Sequence, residues 1–73
     1  MPRALSAVDR LLLLAPENIR GLRERAQLCE QLGGPAAAAR DLEKVLELEP
    51  NASDAAALRA RVRRLRGASQ FLN

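Results

Sequence analysis

Two prolines, Pro16 and Pro50, each close a Leu-x-Leu-x-Pro run, and they stand 34 residues apart. Sliding the chain by that interval superposes Ala4 on Ala38, Leu12 on Leu46, Leu14 on Leu48, Arg25 on Arg59, Ala26 on Ala60 and Gly33 on Gly67. Chemical type also agrees between Val8 and Leu42, Asp9 and Glu43, Arg10 and Lys44, and Leu11 and Val45. A fixed interval at which small residues, prolines and charge signs recur together marks a solenoid, in which each unit buries its apolar face only against its neighbours. The chain has 73 residues, and a core of that size supplies only about 3–5 kcal/mol of net stability. Such a chain must be helical, oligomeric or part of a longer array.

The punctuation divides the chain into helices. Ala4, Leu5, Val8, Leu11 and Leu12 follow the i, i+3, i+4, i+7 spacing of an amphipathic helix over Ala4 to Leu14, stopped by Pro16. A second helix starts after Asn18, whose side chain suits an N-cap, and carries Leu22, Ala26, Cys29 and Leu32 on its inner stripe, with Ile19 and Leu28 beside it. Gly33 and Gly34 end it, since glycine tolerates the left-handed conformation of a helix C-terminus, and Pro35 opens the third helix. That helix runs to Leu48 with Ala38, Leu42, Val45 and Leu46 inward. A fourth begins near Ser53, presents Leu58, Val62 and Leu65, and is expected to end at Gly67, with Phe71 and Leu72 folding back on the core or meeting a neighbour. Turns of a few residues force consecutive helices antiparallel. The small Ala26 and Ala38 are expected where the second and third helices cross closely.

The residues at these positions resemble the tetratricopeptide repeat family. Over residues 19–52, Leu22 stands where the family carries tryptophan, Ala26 at its small residue, Cys29 at its tyrosine, Gly33 at its turn glycine, Ala38 at the small residue of its second helix, Leu42 at its aromatic, Val45 at its second alanine and Pro50 at its closing proline. Arg25 departs from the pattern, occupying a position where the family prefers leucine. The resemblance implies an all-α fold of antiparallel helix hairpins, about four helices in all. Residues 3–15 would be the second helix of a partial repeat, 19–52 a complete repeat, 53–66 a capping helix and 67–73 a tail. The leucine-rich, arginine-rich register is also similar to the C-terminal repeat segment of bacterial transglutaminase-like proteins of the SirB type.

Chemistry is scarce. The chain has no histidine, so serine and cysteine triads lack their usual base, common zinc constellations are missing, and neither catalysis nor a cofactor or metal is expected. Cys29, the single cysteine, lies on the inner stripe and reads as a core thiol in a reducing, cytoplasmic setting. Asp41, Glu43, Glu47 and Glu49 read as a solvated acidic surface balanced by Lys44. The net charge of +3 is too mild to imply nucleic acid, although Arg59, Arg61, Arg63, Arg64 and Arg66 crowd the last helix, where cations oppose the dipole as Asp54 does at its start.

Binding is the function the resemblance implies. In tetratricopeptide repeats the first helix of each pair lines a concave groove, and the matching outward positions are Arg20, Arg23, Gln27, Glu30 and Gln31, continued by Ala57, Arg61 and Arg64. Such a groove is net basic and suits an acidic peptide or a chain terminus, because guanidinium forks bind carboxylates bidentately. Leu13 is apolar where its copy is Glu47, so the first helix is expected to be covered by something else: more of a longer protein, or a second copy of the chain. The two competing expectations are an accessory docking segment of a transglutaminase-like enzyme and weak nucleic-acid binding through the arginine-rich last helix.

Overall fold

The computed structural model describes the backbone of residues 2–72 and the side chains of residues 6–68. It consists of four helices, α1 (Pro2–Leu14), α2 (Ile19–Gln31), α3 (Pro35–Leu48) and α4 (Ala55–Leu72), with no strand among the described residues. Their backbones approach one another only in chain order, α1 on α2, α2 on α3 and α3 on α4, and the α2–α3 pair is the most extensively packed. This is the nearest-neighbour stacking that the 34-residue interval demands.

Local chemistry sets the boundaries. The Asn18 side-chain oxygen accepts from the Gly21 amide at 2.7 Å and caps α2. At the other end Gly33 takes a φ of 81°, in the left-handed region that a side chain makes unfavourable. The Gly34 amide then closes on the Cys29 carbonyl at 2.7 Å, and Pro35 starts α3 at a position whose missing N–H has no partner to lose.

One contiguous core joins the four helices: Val8 and Leu12 from α1, Leu22 and Ala26 from α2, Ala38, Ala39, Leu42 and Val45 from α3, and Leu58, Val62 and Leu65 from α4. Ala26 and Ala38 are both fully buried.

The structure corrects the sequence reading in several places. Gly67 does not end α4, which continues to Leu72. Glycine inside a helix costs only about 1 kcal/mol relative to alanine, and with no proline after it and φ in the ordinary range, nothing forces a stop. Leu32, expected on the inner stripe, is the C-cap residue of α2 and stands exposed because the chain is already turning away. Leu11, also expected inward, lies against Gly21 of α2 at the border of the α1–α2 contact and is 39% exposed. The inward assignment of Ala4 and Leu5 and the packing of Phe71 and Leu72 concern side chains outside the described residues.

Candidate functional site

The α2 and α4 helices both pack on α3 without touching each other through their backbones, and charged side chains bridge the space between them. Glu30 of α2 pairs with two arginines of α4 and accepts hydrogen bonds from one of them, Arg61. Arg61 Nε donates to its Oε2 at 3.0 Å, with a second bond from the same guanidinium, while Arg64 Nη2 lies 3.5 Å from Oε1. At the other end of the bridge Arg23 forks onto Asp54, Nη1 to Oδ2 at 2.7 Å and Nη2 to Oδ1 at 3.0 Å. The hydrogen bond holds the Asp54 carboxyl below the usual aspartate range and raises Arg23 above the ordinary arginine value. Asp54 directly precedes α4, so the group expected to balance a helix dipole also bridges two helices.

Of the residues singled out from sequence, Arg23, Glu30, Arg61 and Arg64 are therefore brought together, but as mutual ion pairs. Three of the arginines expected to face a ligand already hold carboxylates. The sequence reading missed this because acid and base are 31 residues apart in both bridges. Arg20, Gln27, Gln31 and Ala57 are exposed, and Arg20 has no ion pair among the described residues.

A second cluster lies on the α1 side of α2. Arg25 reaches outward between α1 and α3: Nε and Nη2 donate to Asp41 Oδ2 and Oδ1 at 2.9 and 2.8 Å, and Nη1 donates to Asp9 Oδ1 at 3.0 Å. The fork onto Asp41 holds the guanidinium well above its usual pKa even though burial opposes the charge. Asp41 is not part of a solvated surface. It is 6% exposed, and it stands three residues after Ala38 and four before Val45, the spacing that puts all three on one face of α3. That spacing was the available signal, and the second was Arg25 itself, a cation at a position where the family prefers leucine. An open pocket of 370 Å³ beside this cluster is lined by Asp9, Arg25, Cys29, Ala37, Arg40 and Asp41. Burial, and then the charge of Asp41, push the Cys29 thiol up, which disfavours the nucleophilic thiolate.

The other acids separate too. Lys44 approaches Glu47 at 3.8 Å, whereas Glu43 accepts from Arg66 of α4, with Nε at 3.0 Å from Oε2, and raises that guanidinium. Arg59, the repeat counterpart of Arg25, reaches the Pro50 carbonyl at 3.3 Å and no carboxylate among the described residues. Among the described residues no group of three or more His, Cys, Asp or Glu side chains is placed to hold a metal ion, and no helix is long and apolar enough to cross a membrane.

Paired helices stacked in chain order, with the first helix of each pair bridged to the next by side chains, define a helical-hairpin repeat protein. The profile of the tetratricopeptide repeat matches residues 1–63, and the chain belongs to the tetratricopeptide repeat family. Members of that family are in general protein-interaction modules and typically non-catalytic. No curated protein and no solved structure matches the chain.

Proposed function

We propose that the chain is a non-catalytic interaction scaffold of a reducing cytoplasm that holds an acidic peptide or chain terminus on the face shared by α2 and α4, through Arg20, Arg23, Gln27, Glu30, Gln31, Arg61 and Arg64. The observation that carries this reading is the stoichiometry at Glu30. One carboxylate lies between Arg61 and Arg64, so the cluster keeps a net positive charge, and the Arg64 side chain remains 70% exposed. A ligand carboxylate can take up the unused donors of Arg64 without first breaking the Arg61 fork. Calorimetric titration with an acidic peptide ending in a free carboxylate tests it. Binding should weaken about tenfold in Arg64→Ala, as for loss of a charge-assisted bond, and should fall with salt. Equal affinity of the Arg64→Ala protein removes the site.

A second reading, an accessory docking segment of a transglutaminase-like enzyme of the SirB type, is supported by the exposed leucines of α1, a surface that a larger neighbour would cover. Copurification of the chain with such a catalytic part tests it, and failure to associate at micromolar concentration ends it. Nucleic-acid binding through α4 has less support, since Arg61 and Arg66 are already neutralised by Glu30 and Glu43 and phosphate contacts need free cations.

A further inference from the structure

The backbones of α1 and α3 do not touch. Between them runs a groove floored by the Arg25 guanidinium, which bridges from Asp9 to Asp41. Two cavities share Asp9 and Arg25 as a border: one of 370 Å³ that reaches Arg40, and one of 270 Å³ walled by Leu12, Leu13 and Pro16. A third, of 540 Å³, continues past Pro16 to Lys44. Each wall is a single stripe spaced i, i+3, i+4, i+7. Asp9, Leu12, Leu13 and Pro16 form it along α1 and its turn, and Ala37, Arg40, Asp41 and Lys44 along α3.

The groove stays open whatever else is stacked on α1. Leu13 is 82% exposed. The side chain of Glu47, its repeat counterpart, is 72% exposed although α3 has a helix packed on each side. Positions of this kind therefore remain in solvent within a stacked array. The second groove, between α3 and α4, places an acid there, and the first places a leucine. A lone exposed leucine carries no message; the charges beside it give this groove a ligand chemistry.

Asp9, Arg25 and Asp41 pair with one another. Arg40 has no ion pair among the described residues, and Lys44 has a long one, 3.8 Å to Glu47. The α3 wall thus offers two cations four residues apart, about 6 Å along the helix, and the α1 wall between them is apolar. Successive side chains of an extended strand point to opposite sides, and alternate ones lie about 6.6 Å apart. A strand in the groove can give carboxylates to Arg40 and Lys44 and, from the residue between them, an apolar side chain to Leu13 and Pro16. The residue before this triplet faces Asp9, whose Oδ1 alone is taken by Arg25, so a cationic donor suits it. Glu17 lines the far cavity and ends the run of acids.

We infer that the groove between α1 and α3 binds an extended peptide segment with acidic, apolar and acidic side chains in succession, the acids on Arg40 and Lys44 and the apolar residue on Leu13. The segment needs no free terminus. The groove shares no residue with the α2/α4 face, so either site can fail without the other.

The probe is the peptide acetyl-Ser-Lys-Glu-Leu-Glu-Ser-amide, blocked at both ends so that it offers no terminal carboxylate to Arg64. In solution NMR it should give saturable amide shifts at Leu13, Cys29, Arg40 and Lys44, and none at Arg61 or Arg64. Arg40→Ala should weaken binding about tenfold, as for loss of one charge-assisted bond. Leu13→Glu, which copies the residue of the second groove, should abolish it. Arg63→Ala removes the same charge elsewhere and should change nothing. Replacing both glutamates of the peptide with glutamine, or its leucine with serine, should each weaken binding about tenfold. Leu13, Arg40 and Arg63 are exposed, and an unchanged far-UV circular dichroism spectrum verifies that each variant is folded. The inference is overturned by the absence of saturable shifts, by a footprint on Arg61 and Arg64 instead, by equal binding of the glutamine peptide, or by equal losses in Arg63→Ala and Arg40→Ala. Sedimentation showing a dimer that Leu13→Glu dissolves also overturns it, since a second copy then fills the groove.

Discussion

Replacing Arg25 with leucine, the residue that tetratricopeptide repeats prefer at that position, should destabilise this chain. In the wild type both Asp41 oxygens accept from Arg25, and Asp41 is 6% exposed. Leucine fills the space but donates nothing, so a buried carboxylate is left without its cation. Removing one member of a buried pair costs about 3–5 kcal/mol. The Arg25 side chain retains 29% exposure, which lets water reach part of the cluster, and a loss of about 2–3 kcal/mol follows. For a domain of this size, at about 4–8 °C per kcal/mol, the melting temperature should fall by roughly 10–20 °C. Urea unfolding followed by circular dichroism measures this directly. The double variant Arg25→Leu, Asp41→Leu removes both charges and should recover most of the loss, because an apolar replacement of a buried pair is often neutral. A double-mutant cycle should thus show coupling of about 2 kcal/mol. A stable Arg25→Leu protein, or a double variant no better than the sum of the singles, refutes the account of Arg25 as the compensation for Asp41.

Three further outcomes follow from the packing and the charges. Ala38→Leu should cost about 1–3 kcal/mol, since a fully buried small residue between packed helices has no room for three more carbons; an unmoved thermal melt would contradict the register. Gly67→Ala should stabilise by roughly 0.5–1 kcal/mol, because α4 runs through it and an added Cβ meets nothing within 4 Å. Had Gly67 been a left-handed cap the sign would be reversed, so a destabilised variant in urea unfolding returns the helix end to Gly67. Asp54 has a folded pKa below its unfolded value of about 3.9. In acid the unfolded chain therefore binds the proton more readily, and the contribution is complete above that pH and lost as pH falls through the lower folded value. An acid titration of stability should show this loss in the wild type and not in Asp54→Asn, and identical curves would mean that the bridge to Arg23 contributes nothing.

The α4 boundary and the acidic residues of α3 show how much could be read in advance. Asn18, Gly33, Pro35 and the two spaced prolines each act within one turn of backbone, so the helix starts and stops they govern were legible, as was the stacking order implied by the 34-residue interval. Gly67 was misread because glycine is only a permissive residue: Gly33 turns left-handed where the chain leaves α2 for Pro35, while Gly67 has no such exit. Asp41 was misread because its charge outweighed its position, although its spacing from Ala38 and Val45 pointed inward.

By itself the sequence determined the helices, their order, the buried alanines and the family, because hydrophobic period, caps and short turns are local properties that survive without knowing any crossing angle. Only the tertiary structure decided which arginine holds which carboxylate. Arg25 could not be matched to Asp41 and Asp9, nor Glu30 to Arg61 and Arg64, from spacing alone, since a long charged side chain reaches several candidates on neighbouring helices. The choice among them is made by how closely those helices pack, and that same geometry leaves Leu14 open on α1 while its counterpart Leu48 on α3 packs against the core.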